Sequence, residues 1–594
     1  MDTKHSLTIT AARPHWIGHL LLAASLSLAL TTPLSAAEPT AKPLVLSEEF
    51  VGPFANWKNL KTDFGAAGDG KADDTAAIQK ALDQLQQKPG VLFLPAGTYH
   101  ITKGLTMLSH MNVSVIGADP ATTIIQWDGG EEGVMLFCNG VRHSKFGRIT
   151  WDGGGKKVTA VLHEWDGHTP GAGTGNEHAD QVSRDLAFGI RAGKPHFMDA
   201  ECEVRRWKFQ RVSEAGVRIQ SFNALDWFIW DSEFEDCATG VTNDPGAGHF
   251  HVFRSIFRRS KVVDIAMRNA GYFSIRHNLF IGSNRFLDAR DIGGWAVQLT
   301  LQGNTILDTK EPVSIGIANA GPTILLDNVI KSRAEVSEGP VVRMVAGLDG
   351  SYVAVGNTFT VPKPITARGE LLELENHITA AEKIVPIELL GAITPQSLNR
   401  PVIEVPVKAD AKALQAAIWQ AVALTGQRPV VHLPAGRYDI NETLTIPAGA
   451  DLQLVGDGYG TLLQWTGPAN GTVFALAGPV RMTFRDLKIK GKKAQGLAVS
   501  DCDQPGARIY GNQLSVAGSE RGLWVDGLEQ ADVSLETFYH SGNRNSVLVA
   551  GGPNAGDGRP TSARTVIFGG ASSNTPFNYD VVSGGPVDGA GYVV

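Results

Sequence analysis

The sequence predicts an all-β fold, a parallel β-helix wound as a solenoid in two tandem modules, and three observations predict it. A polar residue followed two positions later by a large apolar one recurs down the chain: Ser232 before Phe234, Ser255 before Phe257, Asn278 before Phe280, Asn304 before Ile306, Asn328 before Ile330 and Asn357 before Phe359. The interval, about 23 to 29 residues, is a solenoid period. The opening is duplicated, because Phe93-Leu-Pro-Ala-Gly-Thr-Tyr99 returns as His432-Leu-Pro-Ala-Gly-Arg-Tyr438 and Thr123-Ile-Ile-Gln-Trp127 as Thr461-Leu-Leu-Gln-Trp465, at an offset of roughly 339 residues. Short apolar runs such as Met111 to Ile116 and Thr123 to Trp127 are separated by Gly and Asp turns, as strands are.

Taken in order, residues 1–37 read as an export signal: Lys4 and Arg13 precede the apolar run Leu20 to Leu30, and Ser35-Ala36-Ala37 offers small residues for cleavage. No later apolar stretch approaches the roughly 18 residues that span a bilayer. The expectation is a secreted or periplasmic bacterial protein without membrane insertion. Residues 38–361 form the first module. Asp73 and Asp74 precede Ile78, Ala81, Leu82 and Leu85, whose spacing lines one face of a short helix, and Asp side chains cap free N–H groups at such a start. Val91 to Leu94 follows as a strand and Pro95-Ala-Gly97 as its turn. Residues 362–409 are a Pro-rich linker that breaks the period. Residues 410–594 are a second, shorter module whose helix, Ala413 to Ile418, echoes the first but lacks the Gly-Asp-Gly and Asp-Asp-Thr residues. The sequence stops at Val593-Val594 without an amphipathic cap, so the end is expected either to pack on the first module or to be incomplete.

The block Asp63-Phe-Gly-Ala-Ala-Gly-Asp-Gly70, Asp73-Asp-Thr75 and Ala77-Ile-Gln79, followed by Leu94-Pro-Ala-Gly-Thr-Tyr99, resembles the opening of the pectate-lyase-like and polygalacturonase-related right-handed parallel β-helix proteins. The resemblance implies a helix that caps the N-terminal end of the β-helix, with Asp73 and Asp74 structural. Paired helices with two such openings resemble the exo-β-1,3-glucanase family, whose catalytic glutamate matches no residue here. Of the polygalacturonase motifs only fragments are present, Thr242-Asn243-Asp244 and Gly248-His249.

The formal net charge of −7 argues against nucleic acid as a partner and leaves a polysaccharide or oligosaccharide as the expected one. Cys138, Cys202, Cys237 and Cys502 are scattered without metal-site spacing, so no metal is assigned; free buried thiols are expected, with a Cys202–Cys237 disulfide as the alternative.

Aligning the coils puts Val217, Val241, Val263 and Leu287 inside and makes an outward column of Arg218, Thr242, Asp264 and Asp288, beside a second of Gln220, Asp244, Ala266 and Arg290. Glycoside hydrolysis requires two carboxyls, about 5 Å apart for retention or about 6.5 to 9.5 Å for inversion, and Asp264, Asp288 and the diagonal Asp244 meet that need. A glycoside hydrolase is therefore expected, without a cofactor, with Glu164 as a further catalytic acid at the head of an inserted loop, Gly167 to Phe188. Arg218, Arg290, Trp165 and His249 are the expected substrate-binding residues, with Tyr272 and Trp295 as further sugar platforms. Two alternatives stand beside this reading. In a polysaccharide lyase the Asp residues bind Ca²⁺ and Arg290 or Arg218 is the base against a uronate. In a non-catalytic glycan-binding β-helix the charges are a salt-bridge lattice on a solvated face. Outward positions of the second module, Ala498 and Ser500, Trp524 and Asp526, Leu548 and Ala550, offer a single acid, which places the site on the first.

Overall fold

Parallel pairing with the next coil is the organising contact of the chain. The structure, a computed structural model, describes residues 48–593 except 194–198, 221–223, 244–247, 269–270, 290–297, 319–320, 345–349, 425, 501–506, 527–531, 542–544, 551–565, 569–578 and 583–591. The export signal read in residues 1–37 lies outside the described residues, as do Cys502 and the chain end. A coil carries three short strands. One runs Trp227–Trp230, Glu233–Glu235 and Thr239–Thr242, and the next runs Phe250–Phe253, Ile256–Arg258 and Val263–Ala266. Each pairs in parallel with its successor, which makes three sheets. The first has 13 strands, from Lys58–Asn59 to Gly369–Leu374; the second has 13, from Asp69–Asp73 to His377–Ile378; the third has 11, from Leu105–Leu108 to Ile365–Ala367. This is the expected parallel β-helix.

Its interior explains the repeat. The apolar member of each motif stacks on its equivalent: Phe209, Phe234, Phe257 and Phe280 lie ring over ring at 4.7, 4.4 and 4.9 Å, close to the strand spacing of about 4.8 Å. The polar member forms a buried ladder. Asn278 Nδ2 donates to Asn304 Oδ1 at 3.0 Å, Asn304 to Asn328 at 2.9 Å, Asn328 to Asn357 at 2.9 Å and Asn357 to Asn376 at 3.0 Å. An amide carries both donors and acceptors, so each rung satisfies the next and none of the side-chain amides of Asn278, Asn304, Asn328 and Asn357 is stranded.

The strands continue past Val361. Ile365–Ala367, Gly369–Leu374 and His377–Ile378 add a further coil, so the connecting stretch begins after Ile378, not at 362. A second set of sheets starts at Val402–Glu404 and Leu444–Ile446.

Both openings repeat the same contacts. Tyr99 Oη donates to Pro95 O (2.7 Å) as Tyr438 does to Pro434 O (2.8 Å). Gln79 exchanges two hydrogen bonds with Thr106 as Gln415 does with Thr445. Asp73 serves the helix start as expected, accepting from Thr75 N at 3.0 Å; Asp74 does not. Asp74 stands at the cap position of the helix Thr75–Gln87 without capping it; its carboxylate accepts from the backbone N–H of Ala67 (2.6 Å) and Gly68 (3.0 Å) and so fastens the Gly-rich loop before the helix. Asp410, in the second opening, does cap its helix, accepting from Ala413 N (2.8 Å). Cys138, Cys202 and Cys237 are buried free thiols, which excludes the Cys202–Cys237 bridge.

Candidate functional site

The third sheet carries the outward column on which the expected site rests, and pairing fixes its register. Ile190, Val217, Val241, Ile265 and Leu287 pair in succession, and beside them run Arg191, Arg218, Thr242, Ala266, Asp288 and Gly316. Arg218, Thr242 and Asp288 take the register expected of them, but Thr242 and Asp288 are buried there rather than exposed. Asp264 does not take its expected register: the stretch from Phe257 to Ile265 is one residue longer than Phe234 to Val241 or Phe280 to Leu287, so Ile265 takes the inward place expected of Val263 and Ala266 the outward place expected of Asp264. Asp264 is fully buried and accepts from Ser283 Oγ at 2.7 Å. Burial pushes its carboxyl up to about 7 against that hydrogen bond. It cannot reach a polysaccharide. Asp288 is ion-paired, with Arg268 Nη2 at 3.3 Å and Arg285 Nη1 at 3.4 Å. Asp244 and Arg290, like Trp295, lie outside the described residues. The described face therefore holds no carboxyl pair of the kind glycoside hydrolysis needs.

What it holds is arginine. The Arg191 and Arg218 guanidiniums lie 5.0 and 5.3 Å from the centroid of one ring, Phe188. Arg191 donates from Nε (3.0 Å) and Nη2 (2.8 Å) to Gln220 Oε1. Burial pushes the Arg191 guanidinium below its usual range, the neighbouring Arg218 charge pushes the same way, and Glu164 opposes both. Glu164 is half-buried, one residue past the strand Lys157–His163, and its N–H donates to Cys138 O at 3.0 Å. Arg268 joins from the next coils, donating its N–H to Asn243 Oδ1 (2.7 Å) and its Nη1 to Asp288 O (3.1 Å). Trp165 is spent locally, with Nε1 donating to Thr169 O at 2.8 Å and N–H to Asp199 Oδ2 at 3.2 Å. His249 directly precedes the first-sheet strand Phe250–Phe253, with its Nδ1 3.5 Å from Asp226 Oδ1.

The segment Gly167 to Phe188 is not an inserted acidic loop. It contains the strands Gly173–Thr174, Glu177–Ala179 and Val182–Arg184, and its acids are held: Glu177 by Arg205 (3.0 Å), Asp180 by Arg206 (2.6 Å) and Asp185 by Arg211. Reading it as a loop concealed Arg191. The signal was present, since Gly189-Ile-Arg191 repeats Gly216-Val-Arg218 one coil earlier.

Calcium, implied by the lyase alternative, needs six to eight oxygen ligands. Asp288 is committed to two guanidiniums and Asp264 is buried among core strands; among the described residues no group of three or more His, Cys, Asp and Glu is placed to hold a metal ion. The described face does not fit the ion, and no step is routed through it. No helix of the described residues is long and apolar enough to cross a membrane.

Comparison with known proteins places the opening. Residues 57–146 match the family described as rhamnogalacturonase A/epimerase, pectate lyase-like. The mannuronan C5-epimerase AlgE2 of Azotobacter vinelandii is 38% identical over 128 residues, 19% of this chain and 12% of the epimerase. Alginate lyase 7 of the same organism is 36% identical over 107 residues, 16% of this chain and 12% of the lyase. The chain thus spans about an eighth of the length of these relatives. The solved A-module of the Azotobacter vinelandii epimerase AlgE6 superposes with a TM-score of 0.39 at 17% identity, covering 54% of this chain and 99% of that module. These relatives are named epimerases and a lyase, which together with the burial of Asp264 overturns the glycoside hydrolase expectation. The chain is a parallel β-helix protein with a pectate-lyase-like opening, related in sequence to mannuronan C5-epimerases and alginate lyases.

Proposed function

We propose that this protein removes the C5 proton of a uronate residue in an anionic polysaccharide and completes the reaction as a lyase, by β-elimination in which the C4–O glycosidic bond breaks, a C4=C5 double bond forms and the leaving oxygen takes up a proton from solvent. The observation that carries the reading is the Arg191–Arg218 pair stacked coil on coil over Phe188. Two guanidiniums on adjacent strands, one of them partly desolvated, raise the local positive potential and so favour an anion beside them. A guanidinium pair matches a carboxylate in shape and charge. Neutralising the uronate carboxylate makes the adjacent C5–H more acidic, because the charge that develops on proton removal spreads into that group. Glu164, whose charge acts on Arg191, is the base in this reading, and Arg268, two coils past Arg218, is a further cation. The second module and the connecting stretch after Ile378 are read as a support for this face, and the export signal as the means by which the protein meets an extracellular polymer.

A second reading is favoured by the epimerase relatives: the same proton leaves C5 and one returns from the opposite face, with no bond cleaved. Incubation with polymannuronate separates the two, since elimination yields an unsaturated product that absorbs in the ultraviolet and epimerisation does not. Ultraviolet absorbance that rises with wild type and not with Arg218→Ala supports the lyase reading; no change in either absorbance or polymer stereochemistry with wild type sinks both.

A further inference from the structure

Along the first-sheet strands Phe250–Phe253 and Tyr272–Arg276 lies a set of side chains the arginine face does not use. Tyr272 is 56% exposed, the more exposed of the two aromatic side chains, with Trp419, that lie open among the described residues. Its backbone is fixed in the strand Tyr272–Arg276, which pairs with Gln298–Gln302, and its ring meets His249 edge to face at 4.7 Å and 90°. His249 Nδ1 and His251 Nε2 both approach Asp226 Oδ1, at 3.5 and 3.8 Å. His251 is itself held by Phe228, stacked at 4.9 Å. Burial pushes the Asp226 carboxyl up, but the two imidazoles outweigh it and hold the group well below the usual carboxylate range. The set thus offers a rigid open ring, an ionised acceptor and imidazole donors.

We propose that Tyr272, His249 and Asp226 form a sugar-ring subsite that takes the apolar face and hydroxyls of a pyranose. An exposed amphipathic ring gains from covering its face while its edge stays wet, and an ionised carboxylate accepts hydroxyl hydrogens but repels a second carboxylate. The set therefore suits the uncharged face of a residue whose neighbour's carboxylate lies on the arginines. Reach allows this, because Arg268 and Tyr272 are four residues apart, at most about 14 Å of chain. The inference deepens the proposed function and rests on it for the identity of the polymer, but not for the existence of the subsite.

The test is affinity electrophoresis of the full chain through gels containing polymannuronate or a neutral β-glucan. Wild type is expected to be retarded by at least one polymer, Tyr272→Ala to bind it about tenfold more weakly, and Tyr272→Phe, which keeps the ring, to be retarded as wild type is. Circular dichroism of the variants, unchanged for so exposed a residue, excludes misfolding. No retardation of wild type by either polymer overturns the subsite, as does equal retardation of Tyr272→Ala or loss in Tyr272→Phe. Arg218→Ala, assayed in parallel, is expected to lose turnover and part of its retardation in polymannuronate, while adding Tyr272→Ala to it weakens retardation by the same further factor as in wild type, so failure of the subsite and failure of the arginine clamp are read separately.

Discussion

The asparagine column inside the solenoid and the arginine-bearing column on its third sheet are both polar side chains stacked coil upon coil, yet they are built on opposite terms. Inside, Asn278, Asn304, Asn328 and Asn357 supply each other's partners and are fully buried. Outside, Arg191 and Arg218 repeat the same charge on adjacent strands and lean on one aromatic ring. A column whose members complement each other is architecture; a column that repeats one charge is where an anionic ligand gains most. That contrast separates stability from function in this fold, and substitutions in each column should show it.

The largest separation is expected at Arg218. Arg218→Ala should lower turnover on a polyuronate at least about 100-fold, the usual loss when a charge-stabilising donor is removed, while the thermal midpoint stays near that of wild type because the side chain is half-exposed. Asp264 should do the reverse. Its folded carboxyl titrates near 7 rather than 3.8, so between those values the folded chain holds a proton the unfolded chain has lost; stability falls as pH rises through that window and stays lower above it. Asp264→Asn should flatten the fall, by at most about 4 kcal/mol, and leave turnover intact. Thermal midpoints at pH 5 and pH 8 measure it.

The next largest effect falls on the ladder. Asn304→Ala removes the bonds to Ile275 O and Asn328 and takes from Asn278 the acceptor of its backbone N–H and of one Nδ2 hydrogen, a loss of about 3 kcal/mol that denaturant titration reads. The smallest effect compares the two openings: Gln79→Ala and Gln415→Ala each break an equivalent pair of bonds to a neighbouring strand, and each should cost about 1 kcal/mol. A much larger loss at only one of them would mean the two openings do not play equivalent parts.

These columns also show what could be read from residues alone. The ladder and the Phe stack were legible because period and residue type together specify a contact that recurs at every coil. The outward column was legible only where coil lengths agree. Arg218, Thr242 and Asp288 were placed, and Asp264 was misplaced by the one additional residue between Phe257 and Ile265, a difference that turns a side chain from solvent to core. Arg191 escaped because Gly167 to Phe188 looked like a loop, its glycines and acids concealing three strands and a set of ion pairs. Chemistry was least legible, since carboxylates suggest hydrolysis until burial and ion pairing show which of them are available.

The central claim, that the arginine face activates a uronate C5–H, is tested most directly by incubating wild type with polymannuronate in D₂O and following the polymer by proton NMR. The account predicts either unsaturated chain ends or deuterium at C5, both absent with Arg218→Ala. New saturated reducing ends with C5 protons retained, or the same products from Arg218→Ala as from wild type, would contradict it.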